Sequence, residues 1–328
     1  MIFDLHCDTI WQIWKSKRTN QPLDLRQSCL QIDEEKLQKG GYFAQCFAAY
    51  VPADTSEPEK AFDEIIDAYY EGIDNSDCLR PVYAYEDFEK NAKAGKISAL
   101  LTMEDATPLR KELANVQKAY DKGVRMIGLT WNFPNAVGYP NYRDFVRGEK
   151  PDMFTPETEK GLTEFGFSLV EEMNRLGIVA DVSHLSDKGF FDVLKTSKRP
   201  IMASHSNARA VCRNVRNMTD EMLSLLAKNG GVVGMNYAKG FLCEDEEKGK
   251  RTIEYVIKHV KHIKKLIGVE HIALGSDFDG ISTDIELCNA SKLPLLLQAF
   301  ERAGFSDGEI EKIAYRNALR VFKENMGK

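Results

Sequence analysis

Six residues could do chemistry together, and each stands where a short apolar run stops. His6 and Asp8 follow Ile2–Leu5, Glu104 follows Ser98–Met103, and His184 follows the run that opens at Ile178. His205 follows Ile201–Ser204, and Asp277 follows the run that opens at His271. Alternate residues of a strand face the same side, so His6 and Asp8 can converge on one point, with Cys7 turned away. A neutral imidazole beside a carboxylate is half a site for a divalent metal of the zinc type. One such pair is more often an ordinary polar contact; repetition at further run ends gives it weight. Three imidazoles and three carboxylates exceed the needs of one tetrahedral ion. They suit two metals roughly 3.5–4 Å apart that share a bridging carboxylate and a hydroxide. Zinc fits these donors, and cobalt or manganese could occupy the same set. The chain has six histidines in all, and the other three read as structural. His259 and His262 lie three apart in the basic stretch 258–265, on what reads as a solvated helix face. His271 opens its run, at the wrong end for a shared site.

Those six residues need a frame that brings run ends together. Eight apolar runs are separated by enough chain for helices: Ile2–Leu5, Phe43–Ala49, Ser98–Met103, Val124–Leu129, Ile178–Asp181, Ile201–Ser204, Gly231–Asn236 and His271–Leu274. Near-continuous apolar strands alternating with amphipathic helices mark a parallel sheet covered on both faces. The spacing predicts helices over Glu57–Ile73, Leu162–Leu176 and Thr252–Leu266, the last two followed by a glycine. A (β/α)8 barrel of TIM type is the best architecture, because its strands share one C-terminal rim that would gather all six residues. An open doubly wound sheet is the alternative, but no G-x-G-x-x-G follows any run. Residues 132–160, rich in Pro, Gly, Asn and Tyr, read as a long loop on the binding rim, and residues 14–40 as a second long connection. No repeat, low-complexity tract or linker-like shift divides the chain, so residues 1–328 read as one catalytic domain.

Composition narrows the function classes. With 328 residues, 43% apolar and 10% aromatic, the chain can bury a large core. A net charge of −6 with interspersed lysines and arginines argues against nucleic-acid binding. Seven scattered cysteines without C-x-x-C spacing read as reduced thiols. No targeting peptide, lipid-anchor signal or membrane span is legible, which predicts a cytoplasmic protein with no membrane partner.

The quoted residues, taken in order, resemble the membrane dipeptidase (renal dipeptidase) family of binuclear zinc peptidases, within the amidohydrolase-like barrels. The likeness is carried by Asp4-Leu5-His6-Cys7-Asp8, Thr102-Met103-Glu104, Asp181-Val182-Ser183-His184, Ala203-Ser204-His205-Ser206-Asn207-Ala208-Arg209, Arg216-Asn217 and Gly275-Ser276-Asp277-Phe278-Asp279-Gly280. It runs along most of the chain. The resemblance implies two Zn2+ per chain and hydrolysis of small dipeptides, with tolerance for a C-terminal D-residue an open question. By the same likeness His6 and Asp8 hold the first zinc, Glu104 bridges both, and His184 and His205 hold the second. Asp277 contacts the bridging hydroxide and the substrate amine and relays a proton to the leaving nitrogen. Arg216 binds the substrate carboxylate, with Arg209 and Arg213 as neighbouring rivals; Asp279 is a rival to Asp277. A homodimer is implied too. Two zinc ions would bring the pKa of a bridging water from 15.7 toward about 7. Two positions depart from the family pattern. Trp131 stands where relatives carry a histidine that helps stabilise the tetrahedral intermediate; its indole N–H can still donate a hydrogen bond. Asp105 stands where glycine is common. The alternatives are another amide hydrolase of this barrel type, such as an N-acyl amino acid deacylase, and a metal-bearing barrel that uses loop 132–160 for partner binding.

Overall fold

The computed structural model describes residues 1–143, 145–146 and 148–327. Among these residues nine parallel strands run in chain order as β1 (Ile2–Asp4), β2 (Tyr42–Tyr50), β3 (Leu79–Pro81), β4 (Ile97–Glu104), β5 (Val124–Gly128), β6 (Val179–Asp181), β7 (Met202–Ser206), β8 (Val232–Met235) and β9 (Ile272–Leu274). Their spatial order is β2-β1-β9-β8-β7-β6-β5-β4, and β4 pairs back onto β2 over Ala44–Tyr50, which closes an eight-stranded barrel. This is the (β/α)8 barrel that the alternating runs predict, with all eight runs in it. The ninth strand, β3, is a three-residue addition. It borders Ile97–Ala99 of β4, ahead of the point where β5 pairs with the same strand.

Inward-facing side chains pack as one cluster with a contribution from each of the eight barrel strands, among them Phe3, Leu100, Met126 and Met202. Phe322 of the helix Asn317–Met326 stacks on Phe3 with ring centroids 5.4 Å apart. The same helix binds the segments that lead into β6, β7 and β9; Asn325, for example, donates to the Pro200 carbonyl and Asn317 to that of Val269. The C-terminal helix therefore plugs the N-terminal end of the barrel and leaves the opposite rim open. A larger apolar layer, including Ile65, Leu169, Leu223 and Ile263, lies between the barrel and its helices.

The predicted helices are Pro58–Asp74, Glu164–Leu176 and Thr252–Ile267. Thr163 caps the second by accepting from the Gly166 amide, and Gly177 ends it in a left-handed turn at φ 78°. The connection 14–40 is less of a loop than its sequence suggests. The helix Thr9–Ser16 enters it, and Glu34–Gly40, capped by the Asp33 side chain at the Lys36 amide, leaves it. Residues 129–163 carry no helix or strand among the described positions. They are tied down by Asn141, whose amide nitrogen donates to the His184 carbonyl and whose side chain donates to Asp187. No helix is long and apolar enough to cross a membrane among the described residues.

Candidate active site

The six residues singled out by the sequence meet on the C-terminal rim. β1 runs on past its last ladder residue: the Asp8 amide donates to Phe278 O at 2.8 Å and the Asp277 amide to His6 O at 3.2 Å. That extension keeps His6 and Asp8 on one side, while Cys7 points away and its thiol contacts Cys46 O at 3.4 Å. Glu104 is the last residue of β4, and His205 lies within β7. His184 and Asp277 each stand three residues beyond a strand in the left-handed region, at φ 67° and 63°. Such backbone is uncommon for residues with a Cβ and gathers at functional sites. Asp105 shares it at φ 67°, which explains why glycine suits that position. Aspartate copes by accepting from the Thr107 amide at 2.9 Å and from Asn135 at 2.7 Å.

The donors form two groups that share Glu104. His6 Nε2 is 3.7 Å from Asp8 Oδ2, 3.7 Å from Glu104 Oε2 and 4.0 Å from Asp277 Oδ1. The other Glu104 oxygen, Oε1, is 3.2 Å from His184 Nε2 and 3.8 Å from His205 Nε2. Ligands of one tetrahedral zinc at 2.0–2.2 Å lie roughly 3.3–3.6 Å apart, close to these separations. Two further observations fit metal ions. His6 Nε2 and Asp8 Oδ1 are buried without a hydrogen-bond partner, a costly state for ordinary polar groups. His184 Nε2 and His205 Nε2 also face each other at 3.0 Å. Outer contacts set both tautomers. An amide oxygen only accepts, so His184 Nδ1–H donates to Asn132 Oδ1 at 2.7 Å, which leaves a lone pair on Nε2. His205 Nδ1 meets Ser204 Oγ at 2.7 Å, and that hydroxyl donates to Asp181 Oδ2 at 2.5 Å. Two lone pairs aimed at one another are the arrangement that a shared cation relieves.

Charge points the same way. Burial pulls the His6 imidazole down, yet Glu104, Asp8 and Asp277 together overcome it and hold its pKa at about 10. The pocket demands positive charge at that nitrogen. Burial raises Glu104 well above the usual carboxylate range, with Asp8 adding to it, and raises Asp277 to about 6. His184 and His205 are held neutral by burial, with Arg216 and His6 nearby. Asp277 Oδ2 is fixed by Asn236 Nδ2 at 2.8 Å. Gly280 lets the loop after β9 pass this group, because a Cβ there would meet Asp8 Oδ2 at 2.1 Å.

Beside the cluster opens a cavity of about 680 Å³ lined by Asp8, Glu104, His184, Asp277, Arg216 and a set of aromatic rings. Arg216 is 4% exposed, its Nε has no partner, and its Nη2 donates to His205 O at 3.4 Å. Its rivals are committed elsewhere. Arg209 makes a two-pronged pair with Asp187, both bonds 2.7 Å, and Arg213 is exposed. Asp279 accepts from Thr9 Oγ1 and the Gln31 amide, both at 2.6 Å, and so braces the first helix rather than the site.

Comparison with known proteins gives this geometry its relatives. The profile of the membrane dipeptidase family (peptidase family M19) matches residues 1–327. The chain belongs to the membrane dipeptidase family. It is a hydrolase of peptide bonds, and the family's metallopeptidase character makes it metal-dependent. A metallopeptidase from Rhodobacter sphaeroides, liganded with a phosphinate mimic of the dipeptide L-Ala-D-Ala, superposes with a TM-score of 0.88 at 27% identity, covering 99% of each chain. An uncharacterized protein encoded in the pqqA 5′ region of Klebsiella pneumoniae is 35% identical over 246 residues, 75% of this chain and 88% of its own. Dipeptidase 3 of Rattus norvegicus is 32% identical over 304 residues; the match takes in 90% of this chain but 58% of the rat protein.

In this member of the family the outer contacts of the site carry little sequence signal. Asn236 ends the seventh apolar run, so the strand-end rule that found Glu104 would also have found it. Asn132 and Ser204 sit beside residues already singled out but carry no spacing signal. Trp131 lines the cavity, its ring centroid 6.3 Å from that of His184 and 5.0 Å from that of Tyr50. His259 is a correction: it is fully buried rather than solvated, accepting from the Ala208 amide and donating to Leu242 O, both at 3.1 Å. It lies on the stripe of Tyr255, Val256, Val260 and Ile263 that the helix Thr252–Ile267 turns inward.

Proposed function

We propose that this chain is a zinc-dependent dipeptidase with two Zn2+ per chain, and that its whole length serves as one catalytic unit. His6, Asp8 and Glu104 would hold one ion, and Glu104, His184 and His205 the other. The observation that carries the reading is the division of Glu104, one oxygen to each donor group, beside a buried guanidinium that has no ion pair with a carboxylate among the described residues. Bound there, the metals would supply ionised water at neutral pH and polarise the scissile carbonyl. Arg216 takes the substrate's free carboxylate in its planar fork, and this is how the site would demand a dipeptide. Asp277, steadied by Asn236, holds the substrate amine and moves the proton to the departing nitrogen as base and then acid. Trp131 lines the same cavity, and its indole N–H would be the donor available to the carbonyl oxygen as charge develops on it.

Seven free cysteines support a cytoplasmic setting, and we place the enzyme there as a homodimer acting on small dipeptides. The test is metal content and hydrolysis of L-Xaa-L-Xaa and L-Xaa-D-Xaa dipeptides on one preparation, with Glu104→Ala as control. Two zinc per chain, with cleavage that disappears in the variant, supports the reading. Two zinc with cleavage only of N-acyl amino acids would replace it with a deacylase. One metal or none refutes the binuclear site.

A further inference from the structure

Arg216 and a run of packed aromatic rings both face the cavity. Around the barrel the strands follow the order β1, β2, β4, β5, β6, β7, β8, β9, so β2 stands directly across from β7, four strands away in either direction. Arg216 belongs to the loop after β7. Opposite it Tyr50 ends β2, flanked by Trp11 after β1 and by Trp131 after β5, and the three rings form a continuous aromatic wall. Trp11 meets Tyr50 edge-on at 5.5 Å, Tyr50 meets Trp131 at 5.0 Å, and Trp131 meets Phe133 at 5.9 Å. These rings line the same cavity as Glu104 and Asp277. They are also firmly held: Trp11 lies on the first helix and Tyr50 is 6% exposed in β2.

A dipeptide carries its free carboxylate on one residue and its free amine and a second side chain on the other. With its carboxylate on Arg216 and its scissile bond over Glu104, the amino-terminal residue is the part that lies away from Arg216. Its amine can turn to Asp277 while its side chain meets the rings. We propose that the wall of Trp11, Tyr50 and Trp131 receives the side chain of the amino-terminal residue and selects dipeptides with a bulky aromatic or branched aliphatic group there. This rests on the dipeptidase reading. Flat, rigid rings bury such a side chain at little entropic cost and offer offset or edge-on packing to an aromatic one. A glycine at that position would leave the wall in contact with water.

The experiment compares kcat/KM for Phe-Gly, Leu-Gly and Gly-Gly with Gly-Phe and Gly-Leu, on metal-loaded wild type and on the Tyr50→Ala and Trp131→Ala variants. Burying one large apolar side chain predicts a preference for Phe-Gly and Leu-Gly over Gly-Gly on the order of 10- to 100-fold. The gain in the Gly-Phe and Gly-Leu series should be smaller. In each variant the ratio of Phe-Gly to Gly-Gly should fall several-fold; being a ratio, it is unaffected by the fraction of active enzyme. If a variant fails to fold, the two wild-type series decide. Equal rates for Phe-Gly and Gly-Gly, a larger gain at the carboxyl-terminal position, or a ratio unchanged in both variants would overturn the role of the wall. Cleavage of no dipeptide at all overturns the dipeptidase reading and this inference with it, and so is distinguishable from a flat profile.

Discussion

Replacing Arg216 with methionine separates binding from folding. Arg216 is nearly enclosed, has an unpartnered Nε and lies 5.4 Å from the Phe241 ring centroid. Burial already holds its pKa below the usual arginine value, so its charge is poorly solvated and incompletely paired in the free enzyme. Methionine keeps much of the length and apolar contact and removes the charge. Folding stability should therefore hold or rise, because an imperfectly paired buried charge is removed rather than a complete ion pair broken. Binding should suffer. A charge-assisted hydrogen bond to a carboxylate contributes about 1.5–3 kcal/mol. At 1.4 kcal/mol per decade, losing one would raise KM for a dipeptide roughly 10- to 150-fold, and a second would add to it. A dipeptide amide, which lacks the carboxylate, should be handled almost equally by both proteins. Thermal melts and steady-state kinetics on Xaa-Yaa and Xaa-Yaa-amide pairs supply the measurements. An unchanged KM for the free acid, or a marked fall in Tm, would falsify the argument and make Arg216 a structural tie.

Other consequences can be measured in the same preparations. Glu104→Gln should drop bound zinc below two per chain by elemental analysis, since an amide cannot supply a charged oxygen to each donor group. Ser204→Ala cuts the link between Asp181 and His205 and should weaken metal affinity about 10- to 100-fold in a chelator competition; an unchanged affinity would show that the link is ornamental. His259 is kept neutral by burial, with a folded pKa of about 4 against an ordinary 6.5. Between those values the unfolded chain takes up a proton that the folded chain refuses, so stability should fall as pH drops from about 6.5 to about 4. The loss is on the order of 3 kcal/mol, and urea midpoints of His259→Gln should show a flatter pH profile. Gly275→Ala should fold poorly, because its Cβ would lie 1.8 Å from the Ser204 carbonyl oxygen; a soluble variant with wild-type Tm would contradict that.

Much of this could be read before any coordinates, and the exceptions have causes. The eight barrel strands announce themselves because strands covered on both faces must be apolar throughout. Glu104, His184, His205 and Asp277 stand out because each interrupts such a run. β3 was invisible: three residues, Leu-Arg-Pro, carry no period. Glu34–Gly40 was legible in principle from the Asp33 cap and Gly41, but it is short and highly charged. His259 was misread because its lysine neighbours masked the inward stripe. Choosing Arg216 over Arg209 required knowing that Asp187 would claim Arg209, a contact across 22 positions of sequence. The aromatic wall has no sequence signature, since closure of the barrel alone brings Trp11, Tyr50 and Trp131 together.

The same wall gives the protein a built-in optical reporter. The chain has three tryptophans, and two of them, Trp11 and Trp131, border the cavity. The third, Trp14, lies one helical turn from Trp11, bonded to Glu64 at 3.0 Å with Arg18 stacked 4.0 Å from its ring. Tryptophan emission, excited selectively above the tyrosine absorption band, therefore comes wholly from the rim of the barrel and its first helix. Loosening at the plugged end, around Phe3 and Phe322, would be nearly silent in that signal until it reached the rim. A ligand that displaces water from the rings would shift the emission directly, so occupancy can be titrated on the unlabelled enzyme, with or without turnover.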